Sequence, residues 1–357
     1  MTAFTVEELI VPQTIGAADA ADFIEATELR NTVEALGYGT RELEMTPAET
    51  LPFWLDTENA PKRLFGVRVD GVLVGRGFYE VNVGKEGGER VAWSAVEVLP
   101  EFRERGIGSA IAEHVETLAR DDSRDRLLVY VVSPPAPGPR LEAATGFGSV
   151  PRDNPEVRFL LDRGYSLEQV ERGSRLAFPI DVPAVATRLA EVMPPGYRLH
   201  YWGNSTPEQW RENYVALLTR MSTDAPSAGL EEPEDPWTVE RLLTSEALEQ
   251  ESPRNALVVV VEHVASASLV GYSELTVPAE PERLAEQLDT LVLREHRGHR
   301  LGTVLKLANL LRVQREYPGH PGIITFNAEE NRHMLDVNEA VGFVPIGYEG
   351  AWKKDAS

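Results

Sequence analysis

One rhythm of hydrophobic and polar positions occurs twice along the chain. In its first occurrence, residues 64–69 and 72–80 are β-rich runs around Asp70-Gly71, the two-residue signal of a tight hairpin. A strand then ends at Val98, a glycine-bearing turn follows, and Ile107, Ile111, Val115 and Leu118 recur at the spacing of a helix with one apolar face. In its second occurrence, residues 256–262 and 269–277 form the paired runs, a strand ends at Val292, and Leu301, Leu305, Ala308 and Leu311 repeat the stripe. Each helix leads to another β-rich run, 127–132 or 322–326, and to a short helix closed by Gly164-Tyr165 or Gly342-Phe343. The pattern predicts two tandem copies of one α/β (α+β) plan, each a mixed, mostly antiparallel sheet flanked by helices.

Placing Arg103 on Arg297, an offset of 194 residues (297 less 103), also aligns Val98 with Val292, Glu101 with Glu295, Ile107 with Leu301 and Gly108 with Gly302. This register predicts an N-terminal module at 1–180, a linker at 181–196 where Pro183, Pro194, Pro195 and Gly196 bracket a short helix, and a C-terminal module at 197–357. The first copy carries its extra residues in a Pro/Gly-rich stretch, 133–154, expected to be an irregular surface loop. A second Pro-rich loop is expected at 222–236.

Composition narrows the chemistry. Against 57 Asp+Glu stand 35 Lys+Arg, a formal net charge of -22, so the average surface repels nucleic acid and favours cationic ligands. With 0 Cys, thiol nucleophiles, disulfides, thiolate zinc sites and iron–sulfur clusters are excluded. His296 and His299 flank Arg297 at a spacing that suits a loop contact, and no metal site is expected. The first residues lack a basic and apolar leader, and no run approaches the roughly 18 apolar residues of a membrane span. A cytoplasmic protein without a membrane partner is expected.

The strand-to-helix turn carries the most chemical information. In Arg103-x-x-Gly106-x-Gly108 the glycines clear side chains from a turn that opens a helix, whose first N–H groups have no helical acceptor. Such a nest suits a phosphate or pyrophosphate, although a glycine turn can also simply begin a helix. A dinucleotide fingerprint and a Walker loop are both absent. The order of hairpin, strand, Arg-x-x-Gly-x-Gly turn, helix, strand and helix, met twice, resembles the tandem GNAT N-acetyltransferases of high-GC bacteria. That resemblance implies an acetyl-CoA site. In the first copy it would involve Val98, Arg103, Arg105, Gly106, Ile107, Gly108 and Ser109. In the second it would involve Val292, Leu293, Arg297, Gly298, His299, Arg300, Leu301, Gly302, Thr303, Asn327 and Asn331. The second loop departs from the signature at Arg300, where the central glycine is expected, and Asn331 is either a helix cap or a cofactor contact.

The reaction implied is direct attack of an amine on the acetyl-CoA thioester. A lysine-like amine must lose a proton, at a cost of about 4.6 kcal/mol at pH 7 unless a base offsets it. By resemblance Glu286, six residues before Val292, is the catalytic base; Asp289 is its rival, on the opposite face by strand alternation unless a bulge intervenes. Glu274 on the preceding strand is a third carboxylate. The first copy has Ala92 and Ala95 at the corresponding positions, so catalysis is expected in the second copy and cofactor binding in the first. The tyrosine that often serves as the family's general acid is replaced by Asn338 and Leu161. The expected acceptor is a small cationic amine and the protein a monomer or homodimer; the alternative is a catalytically degenerate CoA-binding or regulatory protein.

Overall fold

The computed structural model describes residues 4–83, 88–224, 228–230 and 234–355. In chain order it begins with β1 (Glu7–Leu9), α1 (Ala21–Tyr38), α2 (Pro47–Leu55), β2 (Lys62–Val69), β3 (Val72–Val81), β4 (Val91–Val98), α3 (Ile107–Asp121) and β5 (Arg126–Val132). There follow β6 (Arg140–Glu142), β7 (Ser149–Pro151), α4 (Pro155–Asp162), β8 (Ser166–Ala177), α5 (Val182–Val192), β9 (Tyr197–Trp202), α6 (Arg211–Asp224) and α7 (Val239–Glu249). The last elements are β10 (Asn255–His263), β11 (Ser268–Val277), β12 (Ala285–Val292), α8 (Leu301–Glu316), β13 (Gly322–Ala328), α9 (Arg332–Val341) and β14 (Val344–Asp355).

Two compact units divide these elements. The first comprises Met1–Glu171, Ser227–Pro233 and Gly347–Ser357; the second comprises Arg172–Pro226 and Glu234–Ile346. In the first unit the strands run β1-β2-β3-β4-β5-β14, and only the β4–β5 pair is parallel. In the second, β9 to β12 pair antiparallel in sequence order and β12 pairs with β13 in parallel. The repeat read from the hydrophobic pattern is therefore a repeat of strand order.

The second unit begins before the expected linker, because residues 181–196 are not a free connection. Val182–Val192 is a helix whose Val185, Leu189 and Val192 pack on a core containing Leu307 and Leu310. Asp181 accepts from the Ala184 N–H at 3.0 Å, and Pro183 falls in the first turn, where a missing N–H costs nothing. The stretch 133–154 also differs from the irregular loop expected: β6 and β7 form a two-stranded ribbon, with Gly146 and Gly148 at φ +76° and +75° turning the chain between them. Residues 225–227 and 231–233 of the expected 222–236 loop lie outside the described residues.

Each sheet is covered on both faces. In the second unit, alternation sends Val258, Val260, Tyr272 and Leu291 toward α6 and α7, where they meet Tyr214, Leu217 and Leu242. Val259, Val261 and Val270 go the other way, against Leu301, Leu305 and Ala308 of α8. In the first unit Ile107, Ile111 and Val115 of α3 are buried in the same core as Val67, Val74 and Val129.

Candidate active site

The first unit opens between its parallel strands. β4 and β5 are paired from Val91↔Arg126 to Ser94↔Val129; beyond that point they diverge. The gap is a cavity of about 570 Å³, walled by Ala95, Glu97 and Val98 on one side and Tyr130 to Val132 on the other. Arg103, Gly106, Gly108 and Ser109 line it at the loop, and Arg30, Glu34 and Glu349 also line it. Arg30 pairs with Glu34 at 2.5 Å, Arg76 with Glu97 at 2.5 Å, and the Tyr38 hydroxyl donates to Glu349.

The loop backbone is the same in both units, residue by residue. After a 3₁₀ turn (Pro100–Phe102 or Arg294–His296), the arginine Nε donates to the carbonyl of the strand's last valine. Arg103 reaches Val98 at 2.9 Å and Arg297 reaches Val292 at 3.1 Å. Glu104 and Gly298 then take φ +60° and +85°, and Gly106 and Arg300 take +93° and +59°. The first helical bonds are Ala110 N–H to Gly106 C=O and Val304 N–H to Arg300 C=O, both 3.0 Å. This leaves the N–H groups of Ile107, Gly108 and Ser109, and of Leu301, Gly302 and Thr303, without helical acceptors. Arg300 thus holds the position of the missing glycine in the left-handed region that non-glycine residues can occupy. Both loops can cradle a pyrophosphate; they differ in charge, because Arg297 is tied to the buried Asp224 carboxylate at 2.7 Å, whereas Arg103 pairs with no carboxylate among the described residues.

The motif strand of the second unit contains a bulge between the two candidate bases. β11 and β12 are in register from Gly271↔Val292 to Ser273↔Thr290 and again at Leu275↔Gln287, so Leu288 and Asp289 together face Glu274. One extra residue reverses the alternation. Glu286, opposite Thr276, and Asp289, two residues before Leu291, both fall on the face shared by Tyr272 and Glu274. The bulge is held by Gln287, whose Nε2 donates to the Glu274 carbonyl at 2.6 Å and to Ser273 Oγ at 3.0 Å. In the first unit β3 and β4 run in unbroken register, with Phe78 opposite Ala95 and Arg76 opposite Glu97.

On that face two tyrosines each hold a carboxylate. Tyr272 Oη donates to Asp289 Oδ2 at 3.1 Å and Tyr214 Oη to Glu274 Oε2 at 3.3 Å, with the two rings edge-to-face at 5.4 Å. Burial, then the nearby Glu249 and Asp289 carboxylates, push Glu274 up to about 8, against the opposing effect of the Tyr214 hydrogen bond. Asp289 is exposed on the sheet surface, and the protein packed around its carboxyl raises its pKa against the opposing Tyr272 bond. Glu286 stands apart from this pair, 3.7 Å from the Arg254 guanidinium.

Other predicted residues divide between backbone and side-chain roles. Ile107 and Leu301 are core residues that can offer only their N–H groups. Arg105 donates to the Glu101 carbonyl at 2.7 Å, and Leu293 packs at the margin of two second-unit cores, one on each face of the sheet. His299 is exposed, with its ring 5.7 Å from that of Tyr197. Asn331 caps α9 by accepting from the Met334 N–H at 3.3 Å, and Asn327 accepts from Asn338 at 2.6 Å, so neither amide is idle. Tyr214, Tyr272 and Asp224 were not legible as site residues. Tyr272 had one signal: it stands two residues before Glu274 on a strand, and so on the same face. Among the described residues no group of three His, Cys, Asp or Glu side chains could hold a metal ion, and no helix is long and apolar enough to cross a membrane.

Residues 29–136 match the model of the Acetyltransferase (GNAT) family. None of the curated proteins matches the chain. Among solved structures, a tandem GNAT protein from the clavulanic acid biosynthesis pathway, without AcCoA, is 25% identical with a TM-score of 0.73, and the match covers 99% of each chain. A GCN5-related N-acetyltransferase from Sphaerobacter thermophilus shares the fold at 14% identity and a TM-score of 0.64, over 99% of this chain and 96% of that one. Residues 29–136 are thus a GNAT acetyltransferase domain, and the chain as a whole has the tandem GNAT layout.

Proposed function

We propose that this protein is an acetyl-CoA-dependent N-acetyltransferase for a small cationic amine, with its proton-transfer groups in the second unit. The observation that carries this reading is the β12 bulge, which gathers Asp289 with Glu274 beside the parting of β12 from β13. A carboxyl with a pKa about 8 is a far better acceptor for an ammonium proton than an ordinary carboxylate, and the net charge of -22 favours a cation.

The thioester, when bound, supplies an activated acetyl group; the chain supplies alignment and proton transfer. In the first unit the N–H groups of Ile107 to Ser109 and the Arg103 guanidinium would hold the pyrophosphate, with the pantetheine arm in the cleft along Val96 to Val98. In the second, the N–H groups of Leu301 to Thr303, with Arg297 and Arg300, would do the same. Glu274 and Asp289 would take the amine proton, Tyr214 and Tyr272 keeping both carboxyls oriented by donating to them. Glu286, paired to Arg254, would act at a distance by keeping the acceptor region anionic.

Calorimetric titration with acetyl-CoA, followed by a panel of primary amines scored for CoA release, tests this. Wild type is expected to bind and turn over. Glu274→Gln and Asp289→Asn should each lower kcat/KM by on the order of 10²-fold, and Glu286→Gln by less than about tenfold. No heat with acetyl-CoA removes the cofactor, while tight binding without CoA release from any amine would favour a regulatory CoA-binding protein.

A further inference from the structure

One buried titratable group has no place in this chemistry. Lys306, on α8, is only 2% exposed, and among the described residues it has no hydrogen bond or ion pair. Its Nζ lies 5.8 Å from the centre of the Phe343 ring. An ammonium in such a place costs several kcal/mol unless something compensates it.

The first unit shows where this position looks. With the 194-residue offset Lys306 replaces Ala112, which lines a cavity of about 50 Å³ between β4, β5 and α4 together with Val96, Val129 and Leu160. Val96, Val131, Glu156 and Phe159 are common to that cavity and to the main cleft, so the position faces the cleft floor, apolar but for Glu156 and Ser94. In the second unit this floor has turned polar. Val96, Val115 and Leu160 become Thr290, Asn309 and Asn338; the carbonyls that accept from the Tyr165 and Phe343 N–H groups match Asn338 to Leu160, one position before the Leu161 expected from spacing. Asn309 and Asn338 each have a buried Oδ1 without a hydrogen bond.

Two kinds of proton-transfer group thereby flank one gap. β12 and β13 are paired only as far as Gln287↔Thr325. Asp289 and Glu274 stand on the α6/α7 side of the parted strands, and Lys306 belongs to the helix covering the other side. We propose that Lys306 is the proton donor to the CoA sulfur in the second unit, an inference that rests on the acetyl-CoA reading above. The amine nitrogen forms its bond to the carbonyl carbon, the C–S bond breaks with its electron pair going to sulfur, and Lys306 passes a proton to that sulfur. The amine proton goes to the carboxyl pair on the opposite side, and the neutral lysine is reprotonated from solvent. Burial alone holds Lys306 down to about 7, with no carboxylate or second cation perturbing it, so proton transfer to a thiolate of ordinary pKa about 8.5 is downhill.

The test follows the thiol of bound CoA by thiolate ultraviolet absorbance across pH, in full-length wild type and Lys306→Met, with CoA itself as the probe. A cation beside the sulfur lowers its pKa. Wild type should contain a component titrating at least one unit below free CoA, with about tenfold more thiolate at pH 7, and Lys306→Met should lack it. The methionine is an apolar near-isostere and should raise Tm, most of all below pH 7, which keeps misfolding from being mistaken for the effect. CoA bound with identical titrations in both proteins overturns the role of Lys306 alone. Failure of wild type to bind CoA overturns the acetyltransferase reading, and this one with it.

Discussion

The two units have the same loop and different surroundings. Positive φ at 104 and 106 recurs at 298 and 300, the arginine-to-valine bond recurs, and so does the first free turn of the helix. Around that constant frame, Phe78 and Ala95 of the first unit stand where Glu274 and Asp289 stand in the second, and Ala112, Val115 and Leu160 stand where Lys306, Asn309 and Asn338 do. A duplicated backbone thus has one copy with a mostly apolar floor, Glu156 at its edge, and an unencumbered arginine, and another with carboxyls on one face of its sheet and a buried lysine on the helix covering the other. Backbone geometry is conserved between the halves because the loop conformation is set by a few dihedrals and two hydrogen bonds. The chemistry diverged because single side chains pointing into the gap are free of that constraint.

The comparison is most severely tested where the first unit keeps a charge. Arg76 is buried and burial lowers its pKa; the Glu97 carboxylate at 2.5 Å compensates it, with a further bond from Nη1 to the Ala26 carbonyl at 3.2 Å. If this pair is structural, Glu97→Gln should cost about 3 kcal/mol or more in urea unfolding, because it leaves a buried guanidinium unpaired, while kcat stays near wild type. A large fall in turnover with unchanged stability would move catalysis to the first unit.

The next effect is read in pH. A base with a pKa about 8 loses its proton-accepting form below that value, so kcat/KM should fall about tenfold per unit on the acid side, and Glu274→Gln should flatten that limb. Stability must move with the opposite sign. The folded-state pKa lies above the ordinary 4.5, so the neutral carboxyl favours the folded protein; this contribution is whole below pH 4.5 and is lost progressively until pH passes about 8. The glutamine variant lacks that loss, and its Tm advantage over wild type should grow between about pH 5 and 8 and level off above.

Much of this is legible in the sequence, and what is not has identifiable physical causes. The period-two and helical runs marked the strands and the two phosphate loops, because those patterns report directly on which face is buried. Resemblance names Glu286, and alternation sets it on the opposite face from Asp289; the one extra residue at Leu288-Asp289 that brings both onto one face leaves no mark in composition. Tyr214 reaches Glu274 from another element, and Asp224 reaches Arg297 across 73 positions of sequence, separations that no local pattern encodes. The short helix bracketed by prolines in the 181–196 segment is legible, but its packing on Leu307 and Leu310 of α8, far along the chain, is a contact no local pattern encodes.

The smallest expected effect concerns Arg300 itself. A departure from glycine at the centre of a phosphate loop looks like decay, yet Arg300 sits at φ +59°, within the left-handed region, and its side chain is exposed. A non-glycine residue there costs about 1–2 kcal/mol of conformational energy, and glycine in its place gives back 0.5–1 kcal/mol through greater unfolded-state entropy. Arg300→Gly should therefore change stability by no more than about 1 kcal/mol in chemical denaturation. Its effect on CoA binding separates two histories of the loop. If arginine merely replaced a glycine that was no longer needed, the variant binds CoA as well as wild type or better. If its guanidinium took over the charge that Asp224 withholds from Arg297 at 2.7 Å, the variant binds several-fold more weakly, and Asp224→Asn restores the affinity by releasing Arg297.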